Sequence, residues 1–154
     1  MLNQETLKKY DSEKMYKIYD KWYQISEKAW KTKIDTIHLE NINHIIFAGM
    51  GGSGNMGDLF NAIFSKTNIH VTVVKGYVLP KTIDKNTLIV CTSISGNTSE
   101  TIYILKQMKN LNCKKIAMSC GGKIEQICKN TSIKYFKIPM IHSPRASFTA
   151  FLYS

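Results

Sequence analysis

The chain has 154 residues, 44% of them hydrophobic and 10% aromatic. That is a one-domain length with enough apolar content to build a core, which excludes a disordered tail. The formal net charge is +10, yet no block of five or six like charges gathers it. The excess therefore reads as a lysine-rich solvated surface with an attraction for small anions, and no nucleic-acid partner is expected. No apolar run approaches the roughly eighteen residues of a membrane span, so no membrane partner is expected either. The start, "MLNQETLKKYDSEK", has no apolar h-region and no small-residue cleavage site, which makes the cytoplasm the expected location. Cys91, Cys113, Cys120 and Cys128 are scattered, without a C-x-x-C pair or a histidine at zinc-ligand spacing. They read as reduced, structural thiols.

Residues from about 3 to 32 read as one helical stretch. Met15, Ile18, Tyr19, Trp22, Ile25 and Ala29 recur at three- and four-residue steps, and Asp11 or Ser12 could cap a break. Such an amphipathic helix packs on the main domain or on a second subunit. The pattern then changes. "HIIFAG" (44–49) reads as strand one, and residues 53–64 carry Met56, Leu59, Phe60 and Phe64 at helical spacing. "HVTVVK" (70–75) is strand two and "TLIVCTS" (87–93) strand three. A helix follows over 98–111, then strand four (115–120), a helix (122–130) and strand five (133–139). Strands that are nearly continuous apolar runs belong to a parallel sheet covered on both faces. The alternation predicts an α/β fold with a doubly wound, mainly parallel five-stranded sheet flanked by helices. Residues 1–40 form the expected N-terminal helical segment and 41–154 the α/β domain. The end, "SPRASFTAFLYS", starts a helix at Pro144 and stops in an apolar stretch, as in the first half of something longer.

Ligands of such sheets bind outside the carboxyl ends of the strands, where strand order reverses. With the order 2-1-3-4-5, the loops at that point are "GMGGSG" (49–54) and "SISGNT" (93–98). Each leads directly into a helix, whose N-terminal amides favour an anion by roughly 0.3–1 kcal/mol, or about 2 when partly buried. Ser53, Ser93, Ser95 and Thr98 add neutral hydroxyls, a donor set suited to a phosphate monoester. Gly49, Gly51 and Gly54 also fit the dinucleotide pattern G-x-G-x-x-G. That reading needs an acid near the end of strand two, but the strand ends in Val74-Lys75-Gly76 and no Asp or Glu lies between Asp58 and Asp84. Lys75 would tolerate only a 2′-phosphate. Asn97 and Glu100 could instead form a plain capping box, which leaves the hydroxyls on both sides of Ile94 unexplained. A further clue is the charge itself. Of 21 cationic side chains, Arg145 alone is arginine, which points to a place needing a planar, bidentate oxyanion ligand.

The run S-x-S-G-x-T-x-E (93–100) after an apolar strand resembles the phosphosugar signature of sugar isomerase (SIS) domains. "AGMGGSGNMGDL" (48–59) and "PRASF" (144–148) narrow the resemblance to the bifunctional phosphoglucose/phosphomannose isomerases of archaea and bacteria. It covers about residue 40 to the end and implies the flavodoxin-like strand order already given. It also implies that Ser93, Ser95 and Thr98 hold the sugar phosphate, that Gly52 and Ser53 contact substrate, and that Arg145 stabilises the enediolate. The implied reaction interconverts glucose 6-phosphate or mannose 6-phosphate with fructose 6-phosphate, with no metal or organic cofactor, in a homodimer. Relatives are about twice as long, and their catalytic glutamate, and the histidine and lysine assisting ring opening, lie in a second SIS domain that this chain has no residues to match. Glu100 is better placed as a helix N-terminal residue than as the missing base, and His142 as incidental. The alternatives are a non-catalytic sugar-phosphate-binding or regulatory module, and a SIS isomerase of another phosphosugar.

Overall fold

Five short parallel strands form the sheet, and their order places two glycine- and serine-rich loops side by side. The computed structural model describes residues 3–32 and 36–154. Parts of the expected N-terminal segment, residues 1, 2 and 33–35, lie outside the described residues. The strands are β1 (His44–Ala48), β2 (His70–Val74), β3 (Thr87–Ser93), β4 (Lys114–Ser119) and β5 (Lys134–Lys137). They pair in the order β2-β1-β3-β4-β5, every pair parallel, as the sequence predicts. β1 and β3 are buried at every position, because each has a neighbour on both sides and helices cover both faces.

The helices ahead of the sheet are α1 (Gln4–Tyr10), α2 (Met15–Tyr19) and α3 (Trp22–Lys31). After β1 comes α4 (Gly51–Phe64), after β3 α5 (Ser99–Met108), after β4 α6 (Gly122–Lys129), and at the end α7 (Phe148–Leu152). One sheet face, with Ile46, Ala48, Ile89, Cys91 and Ala117, packs on Ile104, Leu105 and Met108 of α5 and on Ile124 and Cys128 of α6. The opposite face, with Ile45, Phe47, Val71, Leu88 and Val90, packs on Phe60 and Phe64 of α4. The rings of Phe47 and Phe60 stack at 4.9 Å. That close approach needs Gly57, where a Cβ would sit 2.7 Å from the Phe47 Cβ. All four cysteines are free thiols. Burial raises the Cys91 thiol far above its ordinary range and Cys128 to about 11, which leaves both inert.

Three expectations need correction. The N-terminal stretch is three short helices, not one. The Asp11 carboxylate accepts hydrogen bonds from the Met15 and Tyr16 amides at 2.8 and 2.9 Å and so restarts the chain as α2, after Lys14 turns into the left-handed region at φ 58°. Those amides, Tyr16 foremost, hold the Asp11 carboxyl below its ordinary range. Secondly, the helix after β1 starts at Gly51, two residues earlier than the apolar spacing indicates, so much of the glycine loop is helix. Thirdly, α7 begins at Phe148 rather than Pro144.

Candidate functional site

The site grows from the register of the two central strands. Ala48 of β1 lies opposite Cys91 of β3, so the chain leaves the sheet from both strands at nearly the same level. β1 runs on through Gly49 and Met50 into α4, and β3 runs through residues 94–98 into α5. Two helix N-termini therefore open onto one crevice. The first amides of each helix have no carbonyl a turn behind them, which leaves them pointing at whatever occupies the space.

The second loop is held from within and from behind. The Ser93 hydroxyl lies 2.8 Å from the Thr98 hydroxyl and accepts the Gly96 amide at 3.2 Å. Ser95 Oγ accepts the Asn97 amide at 3.3 Å. Behind the loop, the Ile124 amide at the start of α6 donates to Gly96 O at 3.1 Å. Asn97 Oδ1 accepts the Lys123 amide, also at 3.1 Å. The side chain that the sequence offers as a cap for its own helix thus caps α6 instead; Thr98, at the head of α5, makes no side-chain cap bond, so the capping box does not form. Gly96 has φ +70°, and a Cβ there would stand 1.8 Å from Gly121 O, so only glycine lets the two loops touch. Beneath them Ser119 Oγ donates to Gly121 O at 2.8 Å and lies 3.1 Å from the Tyr135 hydroxyl.

A cleft of about 740 Å³ lies over these helix starts. Of the residues the sequence singles out, Gly52, Ser53, Ser95, Thr98 and Arg145 line it. Ser93 does not. It is 2% exposed and its hydroxyl is engaged in shaping the loop. Arg145 is exposed and makes no hydrogen bond or ion pair among the described residues, so its guanidinium is available to a ligand. Lys75, where a dinucleotide would need an acid, pairs with Asp58 of α4. His142 turns away from the cleft: its Nε2 donates to Glu13 O at 2.9 Å. Among the described residues no cluster of three or more His, Cys, Asp or Glu could hold a metal.

Three cleft residues escape sequence reasoning. Asn55 and Phe148 lie on the inner turns of α4 and α7, and Trp22 reaches in from α3. Asn55 directly follows the recognised loop 49–54, near the start of α4, and could have been inferred from helical spacing. Trp22 gives no local signal, because its contact spans 124 residues.

Known proteins share this arrangement. Residues 38–153 match the SIS domain. The chain is 34% identical to the bifunctional phosphoglucose/phosphomannose isomerase of Caldicellulosiruptor bescii, over 72% of this chain and 33% of that protein. It is 31% identical to the protein of the same name from Aquifex aeolicus, over 88% of this chain and 42% of that one. The fold also matches the C-terminal domain of glucosamine-fructose-6-phosphate aminotransferase from Francisella tularensis, with a TM-score of 0.64 at 20% identity, covering 90% of this chain and 44% of that one. The chain thus spans between a third and two fifths of the length of these two isomerases. Since the matched segment contains all five strands and both loops of the cleft, the chain belongs to the SIS domain family.

Proposed function

We propose that the chain is the sugar-phosphate-binding part of an aldose–ketose isomerase acting on glucose 6-phosphate, mannose 6-phosphate and fructose 6-phosphate. One observation supports this most: two helix N-termini, the Ser95 and Thr98 hydroxyls and the sole guanidinium all border one cleft. In this reading Ser95, Thr98 and the first amides of α5 receive the phosphate, in a loop shaped by Ser93. Each helix start contributes roughly 0.3–1 kcal/mol, about 2 at most when partly buried. Gly52 and Ser53 border the sugar. Arg145 faces the carbonyl end, where its planar fork stabilises negative charge developing on the enediolate oxygens. The relatives named phosphoglucose/phosphomannose isomerases support the choice of sugars.

Moving a proton between C1 and C2 needs a general base within hydrogen-bond reach. Among the described residues no carboxylate or imidazole lines this cleft, so in this reading the base comes from outside it. The same observation favours a second reading, a module that binds a phosphosugar without chemistry. In this reading residues 41–154 serve as the phosphosugar unit and residues 1–40 as an N-terminal segment, whose α3 packs on α7. A cytoplasmic homodimer is part of this proposal. The exposed aromatic face of α3 and α7, with Tyr23, Trp30 and Tyr153, supports the pairing, which sedimentation analysis tests. Calorimetry with fructose 6-phosphate, alongside an assay of mannose 6-phosphate conversion by the product of the complete reading frame, separates the readings. Conversion supports the isomerase, binding without conversion supports the module, and no binding contradicts both.

A further inference from the structure

We infer that Trp22 is a working part of the cleft: its indole N–H positions the loop bearing Arg145, and its ring walls the space a sugar would fill. The inference rests on the phosphosugar reading above. Arg145 sits in the irregular segment between β5 and α7, and it makes no side-chain bond of its own among the described residues. Its direction is therefore set by the backbone around it. That backbone is tied at two points to the N-terminal segment, at α3 and at the turn between α1 and α2. Trp22 Nε1 donates to Ala146 O at 3.0 Å, one residue from the arginine, and His142 Nε2 donates to Glu13 O at 2.9 Å, three residues before it. Inside the loop, Ser147 Oγ accepts the Ile141 amide at 2.8 Å and donates to Ser143 O at 2.7 Å. The segment is thus a rigid turn hung on the indole and on His142.

The ring itself is oriented. Tyr19 meets it edge-on, with centroids 4.8 Å apart and planes at 89°, and α3 packs along α7. Trp22 is half-buried and lines the cleft together with Ser95, Thr98 and Arg145. An aromatic wall beside convergent polar donors is the arrangement that small-ligand sites use, and it suits the C–H face of a sugar whose phosphate is held at the helix starts. Phosphate alone would reach the hydroxyls without touching the indole.

The chain has two tryptophans, and Trp30 is 75% exposed and outside the cleft. In the Trp30→Phe protein, emission therefore reports Trp22 alone. Titration with fructose 6-phosphate is expected to change that emission saturably, at the concentration where calorimetry shows binding. Trp22→Phe keeps an aromatic wall but removes the donor to Ala146. It is expected to weaken fructose 6-phosphate by about 5- to 10-fold, the scale of one lost hydrogen bond, and inorganic phosphate by less than about twofold. Binding with silent Trp22 emission overturns the inference, as does wild-type affinity in the variant or equal weakening of both ligands. If the variant fails to fold, the emission titration decides alone. Absence of any fructose 6-phosphate binding by the unmodified chain overturns the phosphosugar reading, and this inference with it.

Discussion

The hydroxyl oxygens of Ser93 and Thr98 lie 2.8 Å apart, closing the loop after β3 into a ring whose last member opens α5. Ser93 does not border the cleft, so its contribution is to hold Thr98 and the Gly96 amide in place. Ser93→Ala leaves the Gly96 amide only its bond to Ser93 O at 3.0 Å and frees the Thr98 side chain. The expected cost is about 1–3 kcal/mol, seen as a lower thermal unfolding midpoint together with weaker phosphate binding by calorimetry. An unchanged affinity would show that the loop keeps its shape without this bond.

Two glycines separate fold from site. A Cβ at Gly96 would lie 1.8 Å from Gly121 O, on a backbone at φ +70°. Neither backbone can give way, so Gly96→Ala is expected to destabilise the chain by about 3 kcal/mol or more. Gly52 has nothing within 4 Å of its Cβ position but borders the cleft. Gly52→Ala is expected to melt like the wild type and to bind fructose 6-phosphate more weakly. Thermal melts and calorimetry on the same two samples check both outcomes.

Arg145 gives a test by shape as well as charge. Arg145→Lys keeps the charge and loses the planar fork, whereas Arg145→Ala loses both. Because the residue is exposed and makes no side-chain bond among the described residues, neither change should move the unfolding midpoint noticeably. Both should weaken fructose 6-phosphate, alanine by about tenfold or more and lysine by less. Inorganic phosphate, which the proposed function assigns to Ser95 and Thr98, should bind nearly as before.

A pH effect is expected far from the cleft, where β1 and β2 begin. Burial holds the His44 imidazole below its ordinary range, with His70 adding to the effect and Asp84 opposing it. His44 lies 2.9 Å from the Thr72 hydroxyl through Nε2, and its ring is 5.0 Å from that of His70. The folded chain therefore favours neutral His44, while the unfolded chain takes up the proton near pH 6.5, about the ordinary value. Its stabilising contribution is complete above about pH 6.5 and is lost as pH falls through the depressed folded value. Melts between pH 7.5 and 5 should show a falling midpoint, and His44→Gln should flatten that fall. An equal slope in the variant would assign it to other groups.

The sheet was legible because its central strands β1 and β3 are short, mostly apolar runs, buried at every position and set in a regular strand–helix alternation. The cleft between the two loops was legible because both carry small and hydroxyl residues ahead of helices at the switch point. Where local pattern misleads, a longer-range bond decides. The stripe from Met15 to Ala29 keeps helical spacing across the break at Asp20 and Lys21, where α2 ends and α3 begins, so periodicity alone joins what the backbone separates. Asn97 looks like the cap of its own helix, yet its carboxamide oxygen meets Lys123 of the next one. Glycine at 51 and 52 hides the first turn of α4, since neither carries an apolar side chain to extend the spacing. Trp22 could not be placed from sequence, because the carbonyl it binds lies 124 residues away.

In the proposed function the helix starts after β1 and β3 share one sugar phosphate, with Arg145 nearby. A crystal soaked in fructose 6-phosphate tests it most directly. Phosphate oxygens are expected within hydrogen-bond distance of the Ser95 and Thr98 hydroxyls, with the guanidinium turned toward the carbonyl end of the sugar. A phosphate lodged at another surface, with the space above Ser95 and Thr98 left empty, would contradict it.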